Sequence, residues 1–78
     1  MNKQVIEEAL ERWIRKACDV EEYDVEMDMM DDLGLSSLDL MQMLSLCESE
    51  FGVRLTGRDL RRISTPDDMA EIILDKMG

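Results

Sequence analysis

Residues 31–39 read Asp-Asp-Leu-Gly-Leu-Ser-Ser-Leu-Asp and join a long irregular segment to a periodic one. Gly34 permits a tight bend in this junction because it has no Cβ. Ser36 is suited to be the N-cap of a following helix, and Asp39, three residues further on, gives a capping-box pattern. The junction therefore predicts a helix that begins at Ser37.

Apolar residues recur with a helical period on both sides of the junction. The helix that follows covers residues 37–51, and Gly52 is placed to end it. Its predicted core positions are Leu40, Met43, Leu44, Cys47 and Phe51. Another helix is predicted over residues 3–17, and its core side consists of Ile6, Ala9, Leu10, Trp13, Ile14 and Ala17.

The C-terminal part of the chain contains two further helical signals. Thr65 is a predicted N-cap, and Pro66 fits the first position of the helix that it begins. The apolar side of that helix is predicted to contain Met69, Ile72, Ile73 and Met77, with Ala70 and Leu74 as further candidates. Residues 59–63 predict one short turn whose inward residues are Leu60 and Ile63.

No strand signal of useful length occurs in the sequence, so we expect an all-α protein. The predicted architecture is a small four-helix bundle with three longer helices, one short helix and a long loop between helices 1 and 2. We expect residues 1–78 to form a single domain, because chains of this length do not divide further.

The long loop, residues 18–35, mixes acidic residues with scattered apolar ones and shows no sustained period. We expect its apolar side chains to attach it to the core: Val20, Tyr23, Val25, Met27, Met29, Met30, Leu33 and Leu35. Residues 17–53 contain eleven acids and no lysine or arginine, so all of the net charge of −10 lies in that stretch. Such a surface either keeps a small protein soluble or steers basic partners towards the junction.

Composition excludes several kinds of chemistry. The chain has 78 residues and no histidine, so it has a thin core and no Ser–His or Cys–His nucleophile. Its acidity argues against nucleic acid or an anionic membrane as the main partner. It has no membrane-length apolar run and no signal-peptide pattern. We therefore expect a cytoplasmic monomer, and an enzyme is the weaker expectation.

Ser37 is the residue at the junction whose role is least explained by folding. It lies in the first turn of the predicted helix, where backbone N–H groups are unpaired and the dipole is positive. A phosphate on its hydroxyl would be stabilised by both effects. Ser36 already serves as the cap, so the hydroxyl of Ser37 is free. Serines near a helix start are nevertheless usually caps, and position alone favours that interpretation.

A family resemblance adds to this reading. Residues 32–39, Asp-Leu-Gly-Leu-Ser-Ser-Leu-Asp, resemble the acyl carrier protein signature Asp-Leu-Gly-x-Asp-Ser-Leu-Asp, and the resemblance extends from about Val5 to Leu74. In that family the serine before the leucine carries 4′-phosphopantetheine through a phosphodiester. The resemblance implies that Ser37 holds this covalent cofactor. Ser36 stands where the signature has aspartate, and serine caps a helix about as well.

The resemblance also implies a non-catalytic carrier. A phosphopantetheinyl transferase would move the arm from coenzyme A to Ser37, and acyl-transferring or acyl-activating biosynthetic enzymes would then use the thioester at its end. Pathways of the fatty-acid or polyketide type are expected. The alternatives are a peptidyl or aminoacyl carrier of a specialised pathway and a small helical interaction module without a prosthetic group.

Several exposed residues of the second helix are candidates for partner docking. With the core positions assigned, Leu38 and Met41 point outward beside Gln42 and Glu48. The family implies that these two apolar side chains enter a groove on a partner, whereas the alternative is an ordinary surface hydrophobe. Asp39 is either a partner contact or part of the cap.

Three remaining features have two interpretations each. Residues 24–29 have the first ligand positions of a calcium-binding loop but lack its glycine and final glutamate, so we expect no metal site. Arg54, Arg58, Arg61 and Arg62 are expected to pair with nearby carboxylates; the alternative is a contact patch for an acidic partner or for the phosphate of the arm. The eight methionines are expected to be adaptable core filler, or to line a cavity that opens around an acyl chain.

Overall fold

Four helices occur in the computed structural model, which describes residues 2–78. They are α1 (Lys3–Ala17), α2 (Ser37–Phe51), α3 (Gly57–Arg61) and α4 (Pro66–Met77). No strand is present in these residues, and a long loop separates α1 from α2. The prediction of an all-α protein with three longer helices and one short one is confirmed.

Each helix begins at a side chain that accepts a hydrogen bond from a backbone N–H group of the first turn. These N-caps are Asn2, Ser36, Thr56 and Thr65. At Ser36, Thr56 and Thr65 an aspartate three residues later returns a bond to the cap, which completes a capping box. The short helix therefore begins at Gly57, two residues earlier than predicted, because the Thr56 cap was not recognised in the sequence.

The core lies mainly between α1 and α4, the two helices with the most extensive mutual contact. Its fully buried members on these helices are Ile6, Leu10, Ile14, Met69, Ala70 and Ile73. Outside the core, the Lys3 ammonium lies 2.8 Å from the Asp67 carboxylate and 3.3 Å from that of Glu71, which joins the first turn of α1 to α4. The helix α2 adds Met43 and Cys47 to the core.

Some predicted core positions are wrong. Ala17 is exposed, since it is the last residue of α1 and borders a surface groove beside Leu46. Met77 is 38% exposed in the last turn of α4, whereas Ala70, a further candidate for the apolar side, is completely buried. The buried side of α4 thus consists of Met69, Ala70 and Ile73, because this is the side that packs against α1.

The long loop is attached by backbone hydrogen bonds as well as by apolar side chains. Met29 N–H donates to the Ser64 carbonyl and Asp67 N–H donates to the Val25 carbonyl, both at 2.9 Å, so the loop is joined to the segment around the start of α4. The loop side chains that reach the core are Met29, Leu33 and Leu35. Met30, which was predicted to do so, is 49% exposed.

The bend that leads into α2 depends on a glycine. Gly34 has a φ of 76°, in the left-handed region that favours residues without a Cβ. Immediately after it, Leu35 N–H donates to the Met29 carbonyl at 2.9 Å, and the Leu35 side chain is buried. These two contacts hold the chain against the core directly before Ser36.

Candidate functional site

Ser36 and Asp39 define the start of α2. The Asp39 carboxylate accepts hydrogen bonds from both the N–H and the hydroxyl of Ser36, each at 3.0 Å. Asp39 N–H in turn donates to the Ser36 hydroxyl oxygen at 3.2 Å. The Ser36 hydroxyl therefore serves as donor and acceptor inside the cap.

Ser37 is the first residue of α2 and differs from its neighbour in this respect. Its side chain is exposed, and its hydroxyl makes no hydrogen bond to any atom of residues 2–78. Its position places that oxygen beside the unpaired N–H groups and the positive dipole end of a helix of 15 residues. An anionic group attached there would be stabilised rather than repelled by the backbone.

A groove of about 430 Å³ opens beside Ser37. Three parts of the chain form it: the loop before the junction, the first two turns of α2, and α3 with the residues after it. The lining side chains are Asp28, Met29, Met30, Asp31, Ser37, Leu40, Met41, Leu60, Ile63 and Ser64. The groove thus combines mainly apolar side chains with two carboxylates.

The predicted docking residues are distributed along one side of α2. Leu38 is 65% exposed and Met41 is 59% exposed, both within the first two turns and beside Ser37. Gln42 and Glu48 are also exposed. Glu48 lies about 16 Å along the helix axis from Ser37, since each residue adds about 1.5 Å. Asp39 is half-buried because its carboxylate takes part in the cap.

Three residues that line the groove were predicted to face the core. Leu60 and Ile63 were predicted to face inward, and both are half-buried on the wall of the groove opposite α2. Met30 was assigned to the core, and it lines the groove as an exposed residue. Their spacing indicated an apolar surface, but only the packing of α3 against the loop brings that surface to Ser37.

The two thiols are poor nucleophiles in this structure. Burial raises the pKa of Cys47 to about 12, and Cys47 is completely enclosed in the core. Burial also raises the pKa of Cys18, with a further contribution from Asp39 and Asp19, and its Sγ–H donates to the Ile14 carbonyl at 3.3 Å. At neutral pH both groups are therefore protonated.

The acidic side chains of the long loop do not form a metal site among the described residues. Within residues 2–78, no three cysteine, aspartate or glutamate side chains come together as the ligands of a metal ion would. In the candidate calcium loop, the Asp24 carboxylate accepts from Glu26 N–H at 2.8 Å, and the Asp28 carboxylate accepts from the N–H groups of Met30 and Asp31. These carboxylates shape the loop.

None of the helices described by the structure has both the length and the apolar character that a membrane crossing requires.

The predicted pairing of the four arginines is wrong. The ion pairs among residues 2–78 involve only Lys3, Arg15 and Lys76 as cations. Arg54, Arg58, Arg61 and Arg62 are all exposed. Asp59, the acid that lies among Arg58, Arg61 and Arg62 in sequence, forms an ion pair with Lys76 and accepts hydrogen bonds from Thr56, so its carboxylate is already occupied.

Comparison with known proteins agrees with this geometry. The family model described as a phosphopantetheine attachment site matches residues 4–73. An acyl carrier protein of Thermotoga maritima is 45% identical over 53 residues, which are 68% of this chain and 65% of that protein. An acyl carrier protein of Saccharopolyspora erythraea is 32% identical over 77 residues, which are 96% of this chain and 81% of that protein.

A solved structure shows the same fold. It comes from Mycobacterium tuberculosis and is described as a candidate acyl carrier protein. The TM-score is 0.78 and the identity 28%, with 90% of this chain and 96% of the other covered. The residues present fit the group that the family model describes: one exposed, unbonded hydroxyl at a helix N-terminus, beside a groove with apolar walls.

Proposed function

Because this chain belongs to the acyl carrier protein family, whose members bear phosphopantetheine and are not themselves catalysts, we propose that Ser37 is the residue that bears the arm. The observation that carries this proposal is the contrast between two adjacent serines. The hydroxyl of Ser36 donates to the Asp39 carboxylate and accepts from Asp39 N–H, whereas that of Ser37 is exposed and has no partner among residues 2–78.

In the loading reaction the chain provides the Ser37 hydroxyl, which accepts the phosphopantetheine group, and holds it at the start of α2. The Ser37 oxygen forms a new bond to the phosphorus next to the pantetheine of coenzyme A, the pyrophosphate bond breaks, and adenosine 3′,5′-bisphosphate leaves. The proton of the hydroxyl goes to a base that the transferase supplies. The start of α2 then stabilises the phosphodiester that has formed.

The groove supports a carrier of acyl rather than aminoacyl groups. Six of its lining side chains are large and apolar: Met29, Met30, Leu40, Met41, Leu60 and Ile63. An acyl chain that lies along them removes apolar surface from water at roughly 25 cal/mol per Å². An aminoacyl group has a cation, and its main counterparts here would be Asp28 and Asp31 at the edge of the groove. Fatty-acid or polyketide-type chemistry therefore fits the larger part of this surface.

Docking of partner enzymes is assigned to the exposed side of α2. Leu38 and Met41 offer apolar side chains to a groove on the partner, and Gln42 and Glu48 continue the same side of the helix. Residues 17–53 have no cation, so a transferase or acyl-handling enzyme with a basic surface is steered towards Ser37. The main role of the Asp39 carboxylate is in the cap, and only the exposed part of this side chain is open to a partner.

Intact mass spectrometry tests the attachment residue. The chain is incubated with coenzyme A and a broad-specificity phosphopantetheinyl transferase, and we expect a gain of one phosphopantetheine group. Ser37→Ala should abolish the gain, and the matched variant Ser36→Ala should retain it. A gain that persists in Ser37→Ala, or that disappears only in Ser36→Ala, would show that the arm is held elsewhere.

A further inference from the structure

The outer side of α3 carries three arginines on one face. Arg58, Arg61 and Arg62 have the spacing i, i+3 and i+4, so their side chains are neighbours on the helix surface. Leu60 and Ile63 lie on the opposite side, where they line the groove beside Ser37. The three arginines, which we call the arginine face, are all exposed, and none of them lines that groove.

No carboxylate of the described residues forms an ion pair with the arginine face. The ion pairs within residues 2–78 omit all three arginines. Arg62 borders a groove along α4 that also contains Glu71 and Asp75, yet it forms no ion pair with either. Asp59 is bonded to Lys76 at 3.1 Å and to the Thr56 cap. The face is therefore a free positive surface on a chain whose net charge is −10.

This arrangement brings like charges together on a short helix. Arginines at i, i+3 and i, i+4 repel each other, the negative dipole end of α3 offsets only part of that repulsion, and α3 has only five residues and no buried side chain. Residue types that destabilise their local structure are expected mainly at positions that serve a function. The arginine face is better explained by something that binds to it than by folding.

The charge of the whole molecule restricts what that partner is. A nucleic acid or an anionic membrane extends across much of a molecule measuring 33 × 24 × 19 Å, and it would also meet the uncompensated acids of residues 17–53. A compact acidic patch on a folded protein meets only the arginines, because charges further away than about 8 Å are screened at physiological salt. Arginine is also enriched at protein interfaces, where its planar group pairs with carboxylates in two-point contacts.

We propose that the arginine face binds an acidic surface of a partner protein, as a second recognition site separate from the exposed side of α2. A partner that contacts both sites must present a basic region to α2 and an acidic region to α3. A partner with its basic region at α2 and its acidic region at α3 is therefore bound in one orientation. A partner in which these two regions are exchanged is repelled at both sites. This goes beyond the attachment of the arm and does not depend on it.

Nuclear magnetic resonance of the unmodified, ¹⁵N-labelled protein tests the proposal. The probe is a hexaglutamate peptide with blocked ends, added at low ionic strength. We expect saturable shifts of the amide signals of Arg58, Arg61 and Arg62, and their loss when salt is raised to about 0.3 M, where screening is stronger. Because the arm is absent, the outcome is independent of whether Ser37 is the attachment residue.

A matched pair of variants decides whether the effect is specific. Arg58→Gln/Arg61→Gln removes two exposed cations of α3, and Arg12→Gln/Lys16→Gln removes two exposed cations of α1, with the same change in net charge. Glutamine has nearly the helix propensity of arginine and lysine. We expect the apparent affinity for the peptide, measured from the amide shifts, to fall at least tenfold in the first variant. In the second variant it should stay as in the parent. Equal loss in both variants, or shifts spread over all cations, would overturn the proposal.

Two further measurements complete the test. A 20-base-pair DNA duplex, added under the same conditions, should leave the α3 signals unmoved, and a stronger response to DNA than to the peptide would contradict a protein partner. The unfolding temperature of Arg58→Gln/Arg61→Gln should be equal to or above that of the parent, since repulsion is removed. A clear fall in that temperature would show that the arginines are structural and would also refute the proposal.

Discussion

The Lys76 ammonium lies 3.1 Å from the Asp59 carboxylate, and this contact joins the last turn of α4 to the first turn of α3. Asp59 also accepts hydrogen bonds from the N–H and hydroxyl of Thr56, so one carboxylate both starts α3 and holds it against α4. The helix α3 has no buried residue of its own. The position of one wall of the groove beside Ser37 therefore depends on this carboxylate.

The Asp59 contact predicts a specific pH dependence. Hydrogen bonds from Thr56 and the ion pair with Lys76 hold the pKa of Asp59 below its ordinary value. A lowered pKa contributes stability that is present above the ordinary value and is lost as the pH falls through the lowered one. We expect the amide signals of α3 to move in acid below about pH 4, and the parent to be more stable than Asp59→Asn at neutral pH.

Amide spectra between pH 2 and 7 measure this effect. Asp75→Asn is the control, because Asp75 forms no ion pair among residues 2–78. If Asp59→Asn leaves the α3 signals and the stability at pH 7 unchanged, the carboxylate does not hold α3 in place.

Loss of the α2 cap should destabilise the protein without preventing its modification. Ser36→Ala removes the acceptor for Asp39 N–H and should lower the free energy of unfolding by about 1 kcal/mol. Ser36→Asp supplies another capping oxygen and should restore most of that loss. Urea denaturation of the three proteins checks the order, and a Ser36→Asp variant no more stable than Ser36→Ala would contradict it.

Two methionines of α4 should respond very differently to truncation. Met69 is completely buried and Met77 is 38% exposed. Met69→Ala should cost about 2–5 kcal/mol because it removes buried methylene groups and leaves a cavity. Met77→Ala should change the stability by less than about 1 kcal/mol, as is usual for surface positions. Equal effects in chemical denaturation would mean that the buried side of α4 is assigned incorrectly.

The exposed apolar residues of α2 should affect partner recognition and not folding. Leu38→Ala and Met41→Ala each remove a side chain that is more than half exposed, so the stability should remain within about 0.5 kcal/mol of the parent. The rate of arm transfer by a phosphopantetheinyl transferase should fall, chiefly through a higher KM. Val5→Ala, on α1, is the control, and a similar rise of KM in that variant would argue against docking through α2.

The thiols should differ in accessibility and in their effect at high pH. Cys18 is half-buried and Cys47 completely buried, so a thiol reagent should modify one cysteine in the native protein and two in denaturant.

Burial raises the pKa of Cys47 from 9.0 to about 12, and a raised pKa contributes stability that is lost as the pH rises through it. Stability should therefore fall between about pH 9 and 12, and less steeply in Cys47→Ala.

The pH titration of that variant needs one comparison. Burial also raises the pKa of Tyr23 to about 12, so part of the alkaline loss belongs to this phenol. Tyr23→Phe isolates that part. An alkaline unfolding curve identical in the parent, Cys47→Ala and Tyr23→Phe would show that neither group is responsible.

The elements and the start of α2 followed from short-range patterns. Apolar periodicity indicated α1, α2 and α4, and the pair Ser36 and Asp39 indicated where α2 begins, because a cap acts across only three residues. The same local rule, applied to Thr56 and Asp59, would have placed the start of α3 correctly. The freedom of the Ser37 hydroxyl was also a local matter, since its neighbour already occupies the cap.

Contacts across the fold were decided only by the tertiary structure. The arginines of α3 have no local acid free to pair with them, since Asp59 is drawn to Lys76, a residue 17 positions away. Met30, Leu60 and Ile63 line one groove beside Ser37, and the hydrogen bond from Met29 N–H to the Ser64 carbonyl joins the loop to the segment that follows α3. A local pattern indicates which side of a helix is apolar, whereas the element that covers that side depends on how α1, α2, α4 and the long loop share one small core.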